Sequence, residues 1–142
     1  MNDITYNNVD ELLVAAVPEL AEARMAVLER CKGEHPGQYT VFPALHPLVD
    51  PLIDSDSAEG LLRRLFGYYE RMALSKDSQV VNLLWLAVLE HLLGNPDRFA
   101  KAWRYMQPAT RKCARRLARM RDCDNLVPGR LRTLFDWFGS RQ

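Results

Sequence analysis

Two glutamates stand inside strongly apolar runs, Glu70 in "FGYYERMAL" and Glu90 in "LAVLEHLLG". A carboxyl drawn into apolar surroundings holds its proton to higher pH, which is the property of a general acid or base. That chemistry needs a nucleophile, a metal or a second tuned group beside it, and the sequence supplies none. Both are therefore read as structural acids, paired with Arg63, Arg64, Arg71 or His91 or capping a neighbouring turn. Asn82, inside the same apolar stretch as Glu90, reads as a satisfied core amide. Cys31-x3-His35 and His46-x3-Asp50 have helical spacing, but glycine and proline interrupt their surroundings and a zinc site needs four converging ligands. No glycine-rich phosphate loop, Gly-x-Ser-x-Gly or His-Glu-x-x-His is present. The sequence assigns no catalytic residue, metal or cofactor, and the expectation is a protein that is not an enzyme.

The densest charge pattern is "PATRKCARRLARMRD", Pro108 to Asp122, in which six of fifteen residues are Arg or Lys. On a helical wheel Arg111, Lys112, Arg115, Arg116 and Arg119 share one arc. Cys113, Ala114, Leu117, Ala118 and Met120 share the other, which should dock on a core. A membrane-surface helix would carry large Leu, Phe or Trp there, so membrane binding is the weakest reading. A Lys/Arg stripe is also the footprint of nucleic-acid proteins. However, the chain's net charge is only +1, and no recognition-helix turn, zinc pattern or RNA-binding signature accompanies the stripe. A solvated basic face, partly paired with acids of the N-terminal half, is the preferred reading.

The elements that position these groups all read as helices. Val9, Leu12, Leu13, Ala16 and Val17 form a first stripe, and Pro18 fits the first position of a second helix running to Lys32. Prolines 43, 47 and 51 in "TVFPALHPLVDPLIDSDS" predict an irregular or kinked helix. Asp56-Ser-Ala-Glu59 has the arrangement of a helix start, followed by Leu61, Leu62, Leu65, Phe66, Tyr69 and Met72 on one face. After a turn at Lys76-Asp77-Ser78, "QVVNLLWLAVLEHLL" is apolar on almost every side and predicts the centre of a bundle. Gly94 ends it, and Asn95-Pro96-Asp97 caps and opens a helix with Phe99, Trp103 and Met106 inward. Pro108 starts the basic helix, and Pro128 a last one with Leu131, Leu134, Phe135 and Phe138 at helical spacing. No strand-like alternation or repeat appears. The expectation is an all-α single domain over residues 1–142, an orthogonal or antiparallel bundle of about seven short helices.

At 142 residues, 48% hydrophobic and 26% charged, the chain has the composition of one globular domain. The near-neutral total hides a polarity. Residues 1–62 carry eleven acids and three bases, whereas residues 101–142 carry eleven bases and three acids. Such asymmetry fits a charged partner or two halves that pack on each other. The N-terminus lacks a basic start and apolar run, and the longest uncharged apolar stretch, Ser78 to Leu89, falls short of the roughly 20 residues of a membrane span. Three unpatterned cysteines, Cys31, Cys113 and Cys123, favour reduced thiols and a cytoplasmic location.

Val17-Pro18-Glu19, Glu70, Asn82-Leu83-Leu84, Leu89-Glu90 and Tyr105-Met106-Gln107-Pro108-x-Thr110 run in order through the chain. In these elements it resembles a family of small bacterial helical domains similar to the immunity partners of polymorphic toxins. Gln107 stands where that family has a small residue. The resemblance implies inhibition by tight binding: a cytoplasmic, monomeric or weakly dimeric protein covering the active site of a cognate toxin domain. The candidate contact residues are Asp50, Asp54, Asp56 and Glu59, an acidic cluster suited to a basic toxin. The alternative face is basic, Arg111, Arg115, Arg116 and Arg119, and would serve an acidic partner, a nucleic acid or a regulatory adaptor. A structural adaptor with an exposed apolar groove flanked by Trp137 is a further class.

Overall fold

Helical spacing of apolar residues governs the chain from Val9 onward. In the computed structural model, which describes residues 3–128, the elements are helices and helical turns, with no strand among the described residues. The all-α bundle expected from the sequence is the one observed. Helix α1 (Val9–Ala16) buries Val9 and Leu13, and Tyr68 ties its start down by donating to the Val9 carbonyl at 2.6 Å. Pro18 opens a 3-10 turn over Pro18–Leu20, not an α-helix, and α2 (Ala21–Arg30) follows from it. The end comes at Arg30 because Lys32 and Gly33 turn left-handed, and Gly33 N–H closes the helix on Leu28 O.

The three prolines do not act alike. The break falls at Leu45, between α3 (Gln38–Ala44) and α4 (His46–Ser55), so Pro47 lies in the first turn of α4, where a missing N–H is harmless. Pro51 sits inside α4, which nevertheless runs on to Ser55, whose hydroxyl bonds the Pro51 carbonyl. Asp56 is not the helix start that its spacing to Glu59 predicted. It ends α4 in the left-handed region, and the residue before α5 (Glu59–Ala73) is Ala58, with no side-chain cap. The capping box fails because the Asp56 carboxylate is engaged elsewhere, with Arg104 and Tyr105.

Of the stripe predicted for α5, Leu62, Leu65, Phe66, Tyr69 and Met72 are buried and Leu61 is half-buried, and Tyr68 is buried beside them. The long apolar segment is one continuous rod: α6 (Ser78–Leu83), a π-helical segment (Leu84–Leu89) and α7 (Glu90–Leu93). Asp77 caps it through Gln79 N–H. Buried residues at 80, 84, 88–89 and 92–93 stay in phase along this rod because the π segment, with its i→i+5 bonding, widens the turn. The rod is not enclosed on all sides, as its composition predicted. Gln79, Asn82, Leu86 and Glu90 form an exposed strip, and Asn82 lies on it and is no core amide.

Asn95 caps α8 (Pro96–Trp103) through Arg98 N–H with Pro96 at its start, and Phe99, Trp103 and Met106 are buried as expected. Helix α9 (Pro108–Met120) packs on α5 and on the π segment. The helix expected from Pro128, with Leu131, Leu134, Phe135, Phe138 and the flanking Trp137, lies outside the described residues. No helix among the described residues is long and apolar enough to cross a membrane.

The π segment supplies a sharp test, since Leu84 is 0% exposed and Leu86 is 51% exposed. Leu84→Asp should destabilise the fold by about 4 kcal/mol or more, because it places an unpaired charge in the core. Leu86→Asp should change the melting temperature little. Equal melting temperatures for the two variants would overturn this assignment of the rod's inner face.

Candidate functional site

The four acids predicted to form a contact cluster do lie together, with Asp54, Asp56 and Glu59 exposed and Asp50 largely buried, but each is paired with a cation of the same chain. On α4, Asp50 and Asp54 share the Arg98 guanidinium of α8. Arg98 Nη1 lies 3.2 Å from Asp50, and Nε and Nη2 donate to Asp54 at 2.9 and 2.8 Å. Lys101 adds a bond to the Asp54 carbonyl at 2.7 Å. This bidentate pairing holds the Asp54 carboxyl below the usual carboxylate range. Asp56 accepts from Tyr105 and pairs with Arg104 at 2.9 Å, while Glu59 is 3.2 Å from Arg63 and 3.7 Å from Arg104. The structure therefore brings all four together, but against the cations of the chain itself.

Behind this seam lies a histidine pair. His46 and His91 stack with ring centroids 3.6 Å apart and planes 12° from parallel. His46 Nε2–H donates to the Ala87 carbonyl at 2.8 Å, within the π segment, and His91 Nε2–H donates to Asp50 at 2.7 Å. The sequence spacing His46-x3-Asp50 thus marks a real cluster, made by α4 and α7. Its chemistry is hydrogen bonding, and among the described residues no group of three or more metal-ligating side chains converges. Burial lowers the His46 pKa, with nearby His91 and Arg98 adding to the shift against the Ala87 bond and Asp50.

Glu70 does cap a neighbouring turn. Its carboxylate accepts from Ala109 N–H, Thr110 N–H and the Thr110 hydroxyl, each at 2.9 Å, at the start of α9. Glu90 pairs with Arg121 at 2.6 Å, a partner the sequence did not suggest. The basic face of α9 then divides. Arg111 donates to the Trp103 carbonyl at 2.9 Å, and Arg111 and Arg115 lie over the Trp103 ring at 4.9 and 5.8 Å. Lys112, Arg116 and Arg119 are exposed, with no ion pair among the described residues. Met120, expected to face inward, is 69% exposed, because α9 docks through Thr110, Ala114, Leu117 and Ala118. Trp85, Arg116, Arg119 and Met120 line a shallow hollow of about 460 Å³. The indole N–H of Trp85 has no acceptor among the described residues.

Sequence reasoning missed Asp10, which is 1% exposed. Its carboxylate accepts from Arg24 Nε at 2.8 Å, His35 Nε2 at 2.9 Å and Gln38 Nε2 at 2.8 Å, joining α1, α2 and α3. Burial alone would push its pKa up, but the bonds from Gln38, Arg24 and His35 outweigh it and hold the carboxyl below its ordinary value. The signal was its register: Asp10, Leu13 and Val17 follow the inner-face spacing of α1.

The depressed pKa of His46 makes stability depend on pH. A histidine whose folded pKa is depressed stabilises the fold fully above its unfolded value, about 6.5. That contribution is lost as pH falls below that value, since the unfolded chain binds the proton more readily. His46→Gln, which keeps a donor for Ala87, should therefore flatten the fall in melting temperature between about pH 7.5 and pH 5. An identical pH profile for variant and parent would refute the role given to His46.

A family model described as a domain of unknown function, DUF7674, matches residues 11–122, from the first turn of α1 to just past α9. No curated protein and no solved structure matches the chain. Since the match spans most of the chain, including the Glu70 cap, the histidine pair, the α4–α8 seam and the whole of α9, the chain belongs to the DUF7674 family.

Proposed function

We propose that this chain is a non-catalytic binding module of the immunity type, which neutralises a toxin domain by covering it. Its contact face is the outer side of α9 and the adjoining π segment, not the acidic cluster. One observation carries the reading. Asp50, Asp54, Asp56 and Glu59 are engaged by Arg98, Arg104 and Arg63, whereas Lys112, Arg116 and Arg119 meet no acid among the described residues. Covering an exposed face with opposite charge speeds encounter and rejects wrong partners.

The apolar part of this face favours a protein partner over a nucleic acid. Trp85 and Met120 line the hollow between Arg116 and Arg119, and Trp, Met and Arg are the residue types enriched in protein interfaces. A phosphate-binding stripe gains its affinity from the cations alone. Glu70 and Asp10 support the non-catalytic part of the reading, since each carboxylate is held by three hydrogen bonds within the fold.

The test is a titration of variants against the product of the neighbouring reading frame, with circular dichroism beside it. Arg116→Glu with Arg119→Glu should weaken binding by about tenfold or more while leaving the helical signal intact. Charge reversal at Asp54, Asp56 and Glu59 should lower the melting temperature, because it breaks the seam to α8. Full affinity in the Arg116/Arg119 variant would sink the assignment of the face. Tight, steeply salt-dependent binding to duplex DNA, lost in the same variant, would transfer it to nucleic acid.

A further inference from the structure

The exposed face of α2 is the chemical complement of the exposed face of α9. Glu22, Met25, Ala26 and Glu29 recur at helical spacing along α2, and all four are exposed, Met25 at 48%. Neither Glu22 nor Glu29 has an ion-pair partner among the described residues. Arg24 does not neutralise them, because it is turned inward onto Asp10 at 2.8 Å, and Arg30 lies at the far end of the stripe. On α9, Lys112, Arg116, Arg119 and Met120 form the matching stripe.

The registers also match. Glu22 and Glu29 are seven residues apart, as are Lys112 and Arg119, and seven residues rise by about 10.5 Å in either helix. Two such helices lying side by side put both carboxylates opposite cations at once. Met25 falls between its two glutamates as Arg116 falls between its two flanking cations. The thioether then meets the hollow of Trp85 and Met120, a sulfur–aromatic contact of the kind methionine makes well.

We infer that a second copy of this chain is an occupant of the α9 face, through the acidic stripe Glu22–Met25–Glu29 of its α2. The chain's own residues 129–142 are a poorer occupant, because they carry Arg130, Arg132 and Arg141 against Asp136 alone and would meet like charge. The inference stands apart from the toxin reading, since it concerns the chain by itself. Where both hold, self-association covers the face until a partner displaces it.

The experiment is sedimentation velocity of the full chain, alone and in mixtures, over concentrations up to about millimolar, where weak exposed ion pairs register. The parent should associate with rising concentration and fall back to monomer near 1 M salt, where the Debye length is only about 3 Å. Glu22→Arg with Glu29→Arg, and separately Arg116→Glu with Arg119→Glu, should each weaken self-association by about tenfold or more. Mixing these two variants should restore a 1:1 complex, because one keeps the acidic stripe and the other the basic one. Milder variants, Glu22→Gln with Glu29→Gln and Arg116→Gln with Arg119→Gln, carry the same test if a reversal lowers the helical signal. A parent that stays monomeric throughout overturns the inference. So does association unaffected by the α2 variants, or a mixture that fails to recombine. Loss of partner binding in the Arg116/Arg119 variant of a strictly monomeric chain would leave the toxin reading standing and this one refuted.

Discussion

The carboxylate of Glu70 does for α9 what α9's own sequence cannot. Gln107 supplies no side-chain cap, so the first amides of the most basic helix have no acceptor within it. Glu70 reaches across from α5 and accepts from two of those amides and from the Thr110 hydroxyl. A negative charge at the positive end of the helix macrodipole adds to the bonding, and a cap of this kind stabilises a helix by about 0.5–2 kcal/mol. The consequence is positional as well as energetic. With its N-terminus fixed on α5 and its inner residues Ala114, Leu117 and Ala118 buried, α9 turns Lys112, Arg116, Arg119 and Met120 to the outside.

The charge asymmetry of the chain is resolved partly inside the fold and partly left on its surface. Asp54 of α4 meets Arg98 of α8, Asp56 meets Arg104 just past α8, Glu19 makes a bidentate pair with Arg64 that holds its carboxyl at about 2, and Asp10 takes Arg24. Of these pairs only Asp56 with Arg104 joins an acid of residues 1–62 to a base of residues 101–142, so they leave most of the polarity on the surface. The exposed pairs contribute little stability individually, since solvent screens them. Their more important effect is on what remains: the acids nearest α8 are taken, while Lys112, Arg116 and Arg119 of α9 and Glu22 and Glu29 of α2 meet no opposite charge among the described residues.

Most of the architecture was legible because it rests on local rules. Apolar spacing located the inner faces of α1, α5 and α8, and Asn95-Pro96 marked the start of α8 through chemistry that acts within one helical turn. The misread positions depend on groups distant in sequence. Asp56 fails as a cap because Tyr105 and Arg104, nearly fifty residues away, take its carboxylate. Asp10 was missed because the three donors that make its burial tolerable lie 14, 25 and 28 residues on. Asn82 was assigned inward by the apolar run around it and Met120 by its place on the helical wheel, but neighbouring helices pack against other sides of their rods. The candidate site was legible in its cations and illegible in their accessibility. Arg111 and Arg115 share the arc of Arg116 and Arg119 but lie over Trp103, while the latter two line the hollow.

The π segment links the interior of the fold to that surface. A six-residue run of wide turns is a weak form of helix, and such segments persist where surrounding contacts hold them. Here the inner side is held twice: Leu84, Ala87, Val88 and Leu89 are buried in the core, and the Ala87 carbonyl accepts from His46. His46 in turn is stacked on His91, which is fixed through Asp50 to Arg98. The outer side of the same segment carries Leu86 into solvent and Trp85 into the hollow beside Arg116 and Arg119. The residues lining the hollow are thus presented by a backbone whose geometry is set from behind by a polar network. This explains how a strongly apolar rod keeps two large side chains at the surface without losing its register in the core.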